Sequence, residues 1–120
     1  MLNLFKKLTF GLFLLSTTLI AQKHELITIT EDNTIILRGE VNDQTVAKIS
    51  LDLIKSKNNE INFYINSPGG SVIAGMRLIN IMLSSGKTIN CIANTAASMA
   101  FVILQACTNR YVLESSILMQ

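Results

Sequence analysis

A largely parallel α/β sheet covered by helices is the fold class this sequence predicts. Three observations point to it. Strand-like and helix-like stretches alternate along the chain, and that order implies right-handed crossovers between parallel strands. Hydrophobic residues make up 49% of the chain while aromatics make up only 6% and Trp is absent. The core is therefore aliphatic, as in a sheet buried by helices. Finally, two turns rich in small residues, Ser67-Pro68-Gly69-Gly70 and Ala96-Ala97-Ser98, each sit where a strand-like stretch runs into a helical one.

The first segment is read separately. Lys6 and Lys7 precede an apolar run from Leu8 to Ala21, and the polar stretch Gln22-Lys23-His24-Glu25 follows. That is the order of a secretory signal, and the run is short for a membrane span. Residues 1–21 are expected to be a signal peptide, with an uncleaved anchor over residues 8–21 as the alternative. Either way the protein is expected to be exported, periplasmic or secreted. Residues 22–120 then form one domain at most.

Within that domain, Leu26 to Thr30 alternates apolar and polar residues, Glu31-Asp32-Asn33 reads as a turn, and Thr34 to Arg38 resumes a strand. The expectation is a short hairpin closed by Gly39. Asn42 or Asp43 caps a helix to about Lys57, with Val46, Ala47, Ile49, Leu53 and Ile54 on its apolar side. Ile61 to Ile65 is a strand, and Ser71 caps a helix to about Ser85, stopped by Gly86. Thr88 to Ala93 is a strand and Asn94 to Ala97 a turn. Ser98 to about Cys107 is apolar nearly all round and reads as a buried helix. Arg110–Leu113 and Ile117–Gln120 are two further strands. The last runs to Gln120 with no turn or polar tail, so the domain is expected to be incomplete on its C-terminal side.

Charge and cysteine content exclude some functions. Without Lys6 and Lys7, eight basic residues balance eight acidic ones. No basic patch remains, which argues against a nucleic-acid partner. Cys91 and Cys107 do not have zinc-site spacing, and the only histidine, His24, is distant in sequence, so no metal or cofactor is expected. Each cysteine lies in an apolar stretch, and two separate buried thiols are expected, although export would permit a disulfide.

The two turns are the places for chemistry, because sites in open α/β sheets form at the carboxyl ends of strands. Paired glycines let a backbone approach a ligand and turn amide N–H groups outward. Taken alone, Pro68-Gly69-Gly70 is a tight turn, and with no Lys-Ser or Lys-Thr pair after it, it is not a phosphate loop. Taken alone, Ser98 is a helix N-cap. The functional reading is a nucleophile at a helix N-terminus, with the Met99 N–H aimed at an oxyanion and the Gly70 N–H as second donor.

Together the turns resemble a known family. Gly39-Glu40-Val41-Asn42-Asp43, Tyr64-Ile65-Asn66-Ser67-Pro68-Gly69-Gly70-Ser71-Val72, Ala74-Gly75-Met76 and Ala96-Ala97-Ser98-Met99 are similar to the proteolytic subunit of the Clp protease in order and separation. The resemblance runs from about Ile35 to Gln120. It implies a ClpP/crotonase-like fold built from repeated strand-strand-helix units. It implies a serine endopeptidase with Ser98 as nucleophile, Gly70 and Met99 as oxyanion donors, and Gly69, Ser71 and Val72 along a strip that binds the polypeptide substrate as an added strand. It also implies a homo-oligomeric ring.

This chain departs from the family pattern in several places. Asn94-Thr95 stands where Gly-Gln is usual, and Ala100 where Gly is common. The leader is a larger departure, since an exported enzyme meets no ATP; that argues against an ATP-driven unfoldase and for likeness to secreted Clp-fold proteinases. The resemblance places the His base and the Asp of the triad after Gln120, leaving residues 22–120 inactive alone. Alternatives are a Ser-Lys peptidase of the signal-peptide-peptidase type, using Lys48, Lys55, Lys57 or Lys87, and a non-catalytic assembly subunit of the same fold. A crotonase-type acyl-CoA enzyme has no need for a serine at position 98.

Overall fold

The computed structural model describes residues 27–120; the expected leader and His24 lie outside the described residues. A 3-10 turn at Glu31–Asn33 leads into strand β1 (Thr34–Arg38). Helix α1 (Asp43–Lys55), strand β2 (Glu60–Ser67), helix α2 (Val72–Ser84), strand β3 (Thr88–Ala97), helix α3 (Met99–Gln105) and strand β4 (Asn109–Met119) follow. The four strands form one parallel sheet in the order β1-β2-β3-β4. Each neighbouring pair is joined by one helix, and uniform right-handed crossovers place all three helices on the same face. The parallel α/β architecture expected from the sequence is the one observed.

The core lies between that sheet face and the helices. Ile35 and Leu37 of β1, Ile61, Phe63 and Ile65 of β2, and Ile89, Cys91, Ala93 and Ala96 of β3 point into it. Val46, Ile49 and Leu53 of α1 and Ala74, Leu78, Ile79 and Met82 of α2 close over them. Burying one such aliphatic side chain contributes about 1.5–3 kcal/mol. On α1 the buried set is narrower than expected. Ser50 is buried, whereas Ala47 and Ile54 face solvent, because a helix packed on a sheet hides one stripe and not its flanks. Helix α3 is likewise buried on one face only, through Met99, Ala100, Ile103 and Leu104, while Val102 and Gln105 are exposed.

Local chemistry sets the boundaries. Asn42 accepts the Thr45 N–H at 2.9 Å, and Thr45 Oγ1 accepts the Asn42 N–H at 3.0 Å, a reciprocal cap that starts α1. Ser71 Oγ accepts the Ala74 N–H at 3.2 Å and starts α2.

Three expectations are corrected. Among the described residues no hairpin precedes β1: residues 27–30 are not a strand, and β1 pairs in parallel with β2. The polar groups that a hairpin would have used are bonded to side chains. Asn33 Oδ1 accepts the Thr30 N–H at 2.9 Å, and Asn62 Nδ2 donates to the Thr28 carbonyl at 2.9 Å. The turn expected at Asn94–Ala97 is the upper part of β3, with an irregularity between Ala93 and Thr95. The two expected final strands are one strand, β4. Val112 pairs with Ala93 and Ile117 with Thr95, so Leu113–Ser116 bow out opposite a single residue, Asn94. Ser116 Oγ pins the bow by donating to the Ala93 carbonyl, 2.6 Å away, and accepting the Leu113 N–H, 2.7 Å away.

The sheet face without helices is arranged in tiers. Thr34, Asn62, Asn90 and Asn109 are register partners across it, followed one tier higher by Ile36, Tyr64, Ile92 and Tyr111. In the lower tier Asn109 Nδ2 donates to Asn90 Oδ1 at 2.8 Å and Asn90 Nδ2 to Glu60 Oε1 at 2.7 Å.

Candidate active site

β2 and β3 are adjacent and parallel, so their carboxyl ends emerge side by side, with Ser67 registered against Ala96. The two small-residue turns therefore meet. A Cβ placed on Gly69 would lie 2.7 Å from the Ala97 carbonyl oxygen, 2.9 Å from Ser98 Cβ and 3.0 Å from the Met99 nitrogen. Glycine is the residue that permits this approach, and its φ of +98° is one that side chains rarely adopt.

Ser98 forms a sharp elbow between β3 and α3. Its φ of 52° and ψ of −123° make it the one non-glycine residue with positive φ among the described residues. Such a conformation costs about 1–3 kcal/mol and persists where the surroundings over-determine it. Here the Ser98 N–H donates to the Met119 carbonyl at 2.9 Å, which ties the elbow to the end of β4. The Ser98 carbonyl accepts from Phe101 at 2.9 Å and Val102 at 3.3 Å, which starts α3. The side chain makes no capping hydrogen bond and is exposed. Ser98 is thus not a conventional N-cap; its hydroxyl is presented to solvent beside the diglycine turn.

Two backbone N–H groups belong to the turns that meet here, those of Met99 and Gly70. Met99 is the first residue of α3, and its N–H has no acceptor within the helix. Gly70 forms a parallel bridge with Val41: the Val41 N–H donates to the Gly69 carbonyl at 2.8 Å, and the Val41 carbonyl accepts the Ser71 N–H at 2.7 Å. The alternation of an extended strip then turns the N–H of Gly70 away from Val41. A Cβ on Gly70 would meet the Val41 carbonyl and lie 2.9 Å from Glu40 Cγ, so this strip is pressed flat against the Glu40-Val41 segment. Ser67, fully buried, accepts the Gly69 N–H at 3.1 Å and fixes the turn from below.

The strip expected to align a substrate, Gly69 to Val72, is shorter as an extended segment than the sequence suggests. Val72 opens α2, and Ser71 has its N–H on Val41, its carbonyl on the Gly75 N–H and its hydroxyl on Ala74. The side chain of Val72 stands 64% exposed at the rim.

The lysines weighed as bases lie elsewhere. Lys87 immediately precedes β3, a strand length of roughly 30 Å from Ser98. Its Nζ donates to the carbonyls of Ser56 at 2.9 Å and Asn58 at 2.6 Å. Lys55 and Lys57 fall at the end of α1 and just beyond it, on the same side of the sheet as Lys87. Lys48 pairs with Asp52 at 3.2 Å on the outer surface of α1.

The chain matches the Clp protease family model over residues 21–120. It belongs to the Clp protease family. Membership makes it a peptidase of the Clp kind, and the parallel sheet with helices on one face is the corresponding fold fragment.

Three residues that hold the candidate site together were not assigned by sequence reasoning. Val41 clamps both sides of Gly70, and Met119 supplies the carbonyl that holds Ser98. Gly75 leaves the space on α2 that the Met99 side chain fills, since a Cβ there would meet Met99 Cγ and Cε. Val41 and Gly75 lie inside family-like stretches of sequence, but no local pattern gives them these roles. The cysteines also differ from expectation. Cys91 and Cys107 form a disulfide with Cα atoms 5.9 Å apart. The return of α3 along β3 brings the two together: the Thr108 N–H donates to the Ile89 carbonyl at 2.9 Å, setting residue 107 beside the lower part of β3.

Proposed function

We propose that the protein is an exported serine endopeptidase. Ser98 Oγ attacks the carbonyl carbon of a peptide bond while a base takes its proton. The oxygen of the tetrahedral intermediate is stabilised by the N–H groups of Gly70 and Met99. Collapse expels the amine, which takes the proton, and water then hydrolyses the acyl-enzyme by the same route. One observation carries this reading: an exposed serine whose hydroxyl has no hydrogen bond among the described residues, held at φ 52° and packed against a diglycine turn.

The base in this proposal is a histidine on the continuation of β4, with an aspartate further along the chain. Support comes from the pairing of Ala97 with Met119 and from the bond between the Ser98 N–H and the Met119 carbonyl. Any chain following Gln120 would emerge at the level of Ser98. A lysine base has no comparable support, because Lys55, Lys57 and Lys87 lie at the opposite ends of the strands and Lys48 is engaged with Asp52. A polypeptide substrate would lie along Gly69 and Gly70, with Ser71 and Val72 at its rim.

The residue 1–21 leader and the residue 22–120 peptidase domain are part of the same proposal. The Cys91–Cys107 disulfide supports export, since such bonds persist in oxidising compartments. Exposed Ile73, Met76 and Leu83 on α2 support self-assembly into a ring. The exported ring works without an ATP-driven unfoldase.

The test is a fluorophosphonate probe applied to the complete gene product. Labelling that maps to Ser98 and disappears in Ser98→Ala is expected. A folded wild-type protein that takes no label at Ser98 would refute the reading.

A further inference from the structure

The Cys91–Cys107 disulfide brackets the elbow: Cys91 lies seven residues before Ser98 and Cys107 nine after it. We propose that this disulfide is a positioning device for Ser98 and Met99, so that the site is held together in the oxidised protein and loosened in the reduced one. The activity arm of this inference rests on the function proposed above; the structural arm does not.

The argument starts from the length of α3. Seven residues make two turns, and an isolated helix of that length is not stable in water. Its N-terminus must nevertheless hold the Met99 N–H in place and keep Ser98 in a conformation that costs free energy. The helix ends without a glycine stop; Ala106 and Cys107 close it by donating to the carbonyls of Ile103 and Leu104. The one cation there, Arg110, donates to the Cys107 carbonyl at 2.9 Å but is itself exposed. The disulfide is the covalent anchor of this end, joining it to β3, the strand that delivers Ser98. Both cysteines are buried, at 0% and 5% exposure. The closed bond is therefore out of reach of reductant in the folded protein, and opening it requires unfolding. An external dithiol then converts the S–S bond to two thiols and leaves as its own disulfide.

A cross-link closing a loop of about 15 residues shifts a local opening equilibrium roughly 100-fold. Because α3 has only two turns, fraying at Cys107 reaches Met99 at once. The elbow is expected to loosen before the β1–β2 half of the sheet, which the disulfide does not touch.

Three forms of the complete gene product decide the matter: oxidised wild type, wild type unfolded and refolded in excess dithiol, and the Cys91→Ala/Cys107→Ala double variant. Amide hydrogen exchange read by mass spectrometry is expected to accelerate roughly 100-fold over residues 94–105 in the second and third forms. Residues 34–38 and 60–67 should stay within about threefold of the oxidised protein. In fluorophosphonate kinetics kinact should fall roughly tenfold or more with KI little changed, since misplacement of reacting groups lowers rate rather than binding. Unchanged exchange over 94–105, acceleration spread evenly over the sheet, or failure of both reduced forms to fold would each overturn the inference. So would faster exchange with an unaltered kinact. If the oxidised wild type takes no label, the proposed function fails, and the exchange comparison alone decides the role of the disulfide.

Discussion

Replacing Gly69 by alanine tests the meeting of the two turns most directly. The added Cβ would lie 2.7 Å from the Ala97 carbonyl oxygen and 2.9 Å from Ser98 Cβ. Ordinary contact begins near 3.4 Å, so the elbow must retreat by about 0.7 Å, and the atoms in the way are backbone or directly attached to it. Overpacking of this kind costs about 1–3 kcal/mol. Holding a side chain at φ +98° adds about 1–3 kcal/mol more. The expected loss of about 2–6 kcal/mol is a large share of the stability of a small domain. A 1 Å displacement of reacting groups costs about 100-fold in rate. Gly69→Ala should therefore react with a fluorophosphonate about 10–100 times more slowly than wild type, measured at a temperature where urea titration shows it folded. A variant that labels within twofold of wild type and loses less than about 1 kcal/mol would show that Gly69 does not press on Ser98 as described.

Ser98→Gly should abolish labelling yet raise stability by about 1 kcal/mol. Relief of the φ 52° strain outweighs the added freedom of glycine in the unfolded chain, and a thermal melt showing no gain would count against the strain. Gly75→Val fills the space occupied by Met99 Cγ and Cε and should cost about 1–3 kcal/mol while slowing labelling; equal labelling rates would separate Met99 from the site. Asn90→Ala removes the donor to Glu60 and the acceptor of Asn109, both exposed and able to regain water, and takes from the buried Asn62 Oδ1 its long contact with Asn90 Nδ2. It should cost about 0.5–1.5 kcal/mol in a urea melt with labelling unchanged.

Much of this was legible in the residues. The periodic apolar positions of α1, the caps at Asn42 and Ser71, and the order of strands and helices are local signals, and local signals predict local structure. The turns at Ser67–Gly70 and Ala96–Ser98 were visible as composition, and the parallel sheet brings them together. Other features depend on contacts that no short window contains. Leu26–Thr30 alternates as a strand does, but Asn33 and Asn62 take its polar groups. Ile54 has the spacing of a core residue but sits on the flank of α1. The pairing of Cys91 with Cys107 follows from how α3 folds back along β3, a distance in space that the intervening sequence does not encode. The elbow at Ser98 violates the preference of its own residue type, and such violations are sustained by tertiary contacts.

The Met99 side chain, seated in the cleft that Gly75 leaves on α2, works as a peg. In the mechanism proposed above its backbone nitrogen is one of the two oxyanion donors, and the other, on Gly70, lies two residues before α2 begins. A single rod thus sets the gap between the two amides: one is wedged into its first turn and the other is attached to its leading tip. Tilting that rod from outside would widen or narrow the gap without touching Ser98, giving the outer surface of the molecule a mechanical hold on its own chemistry.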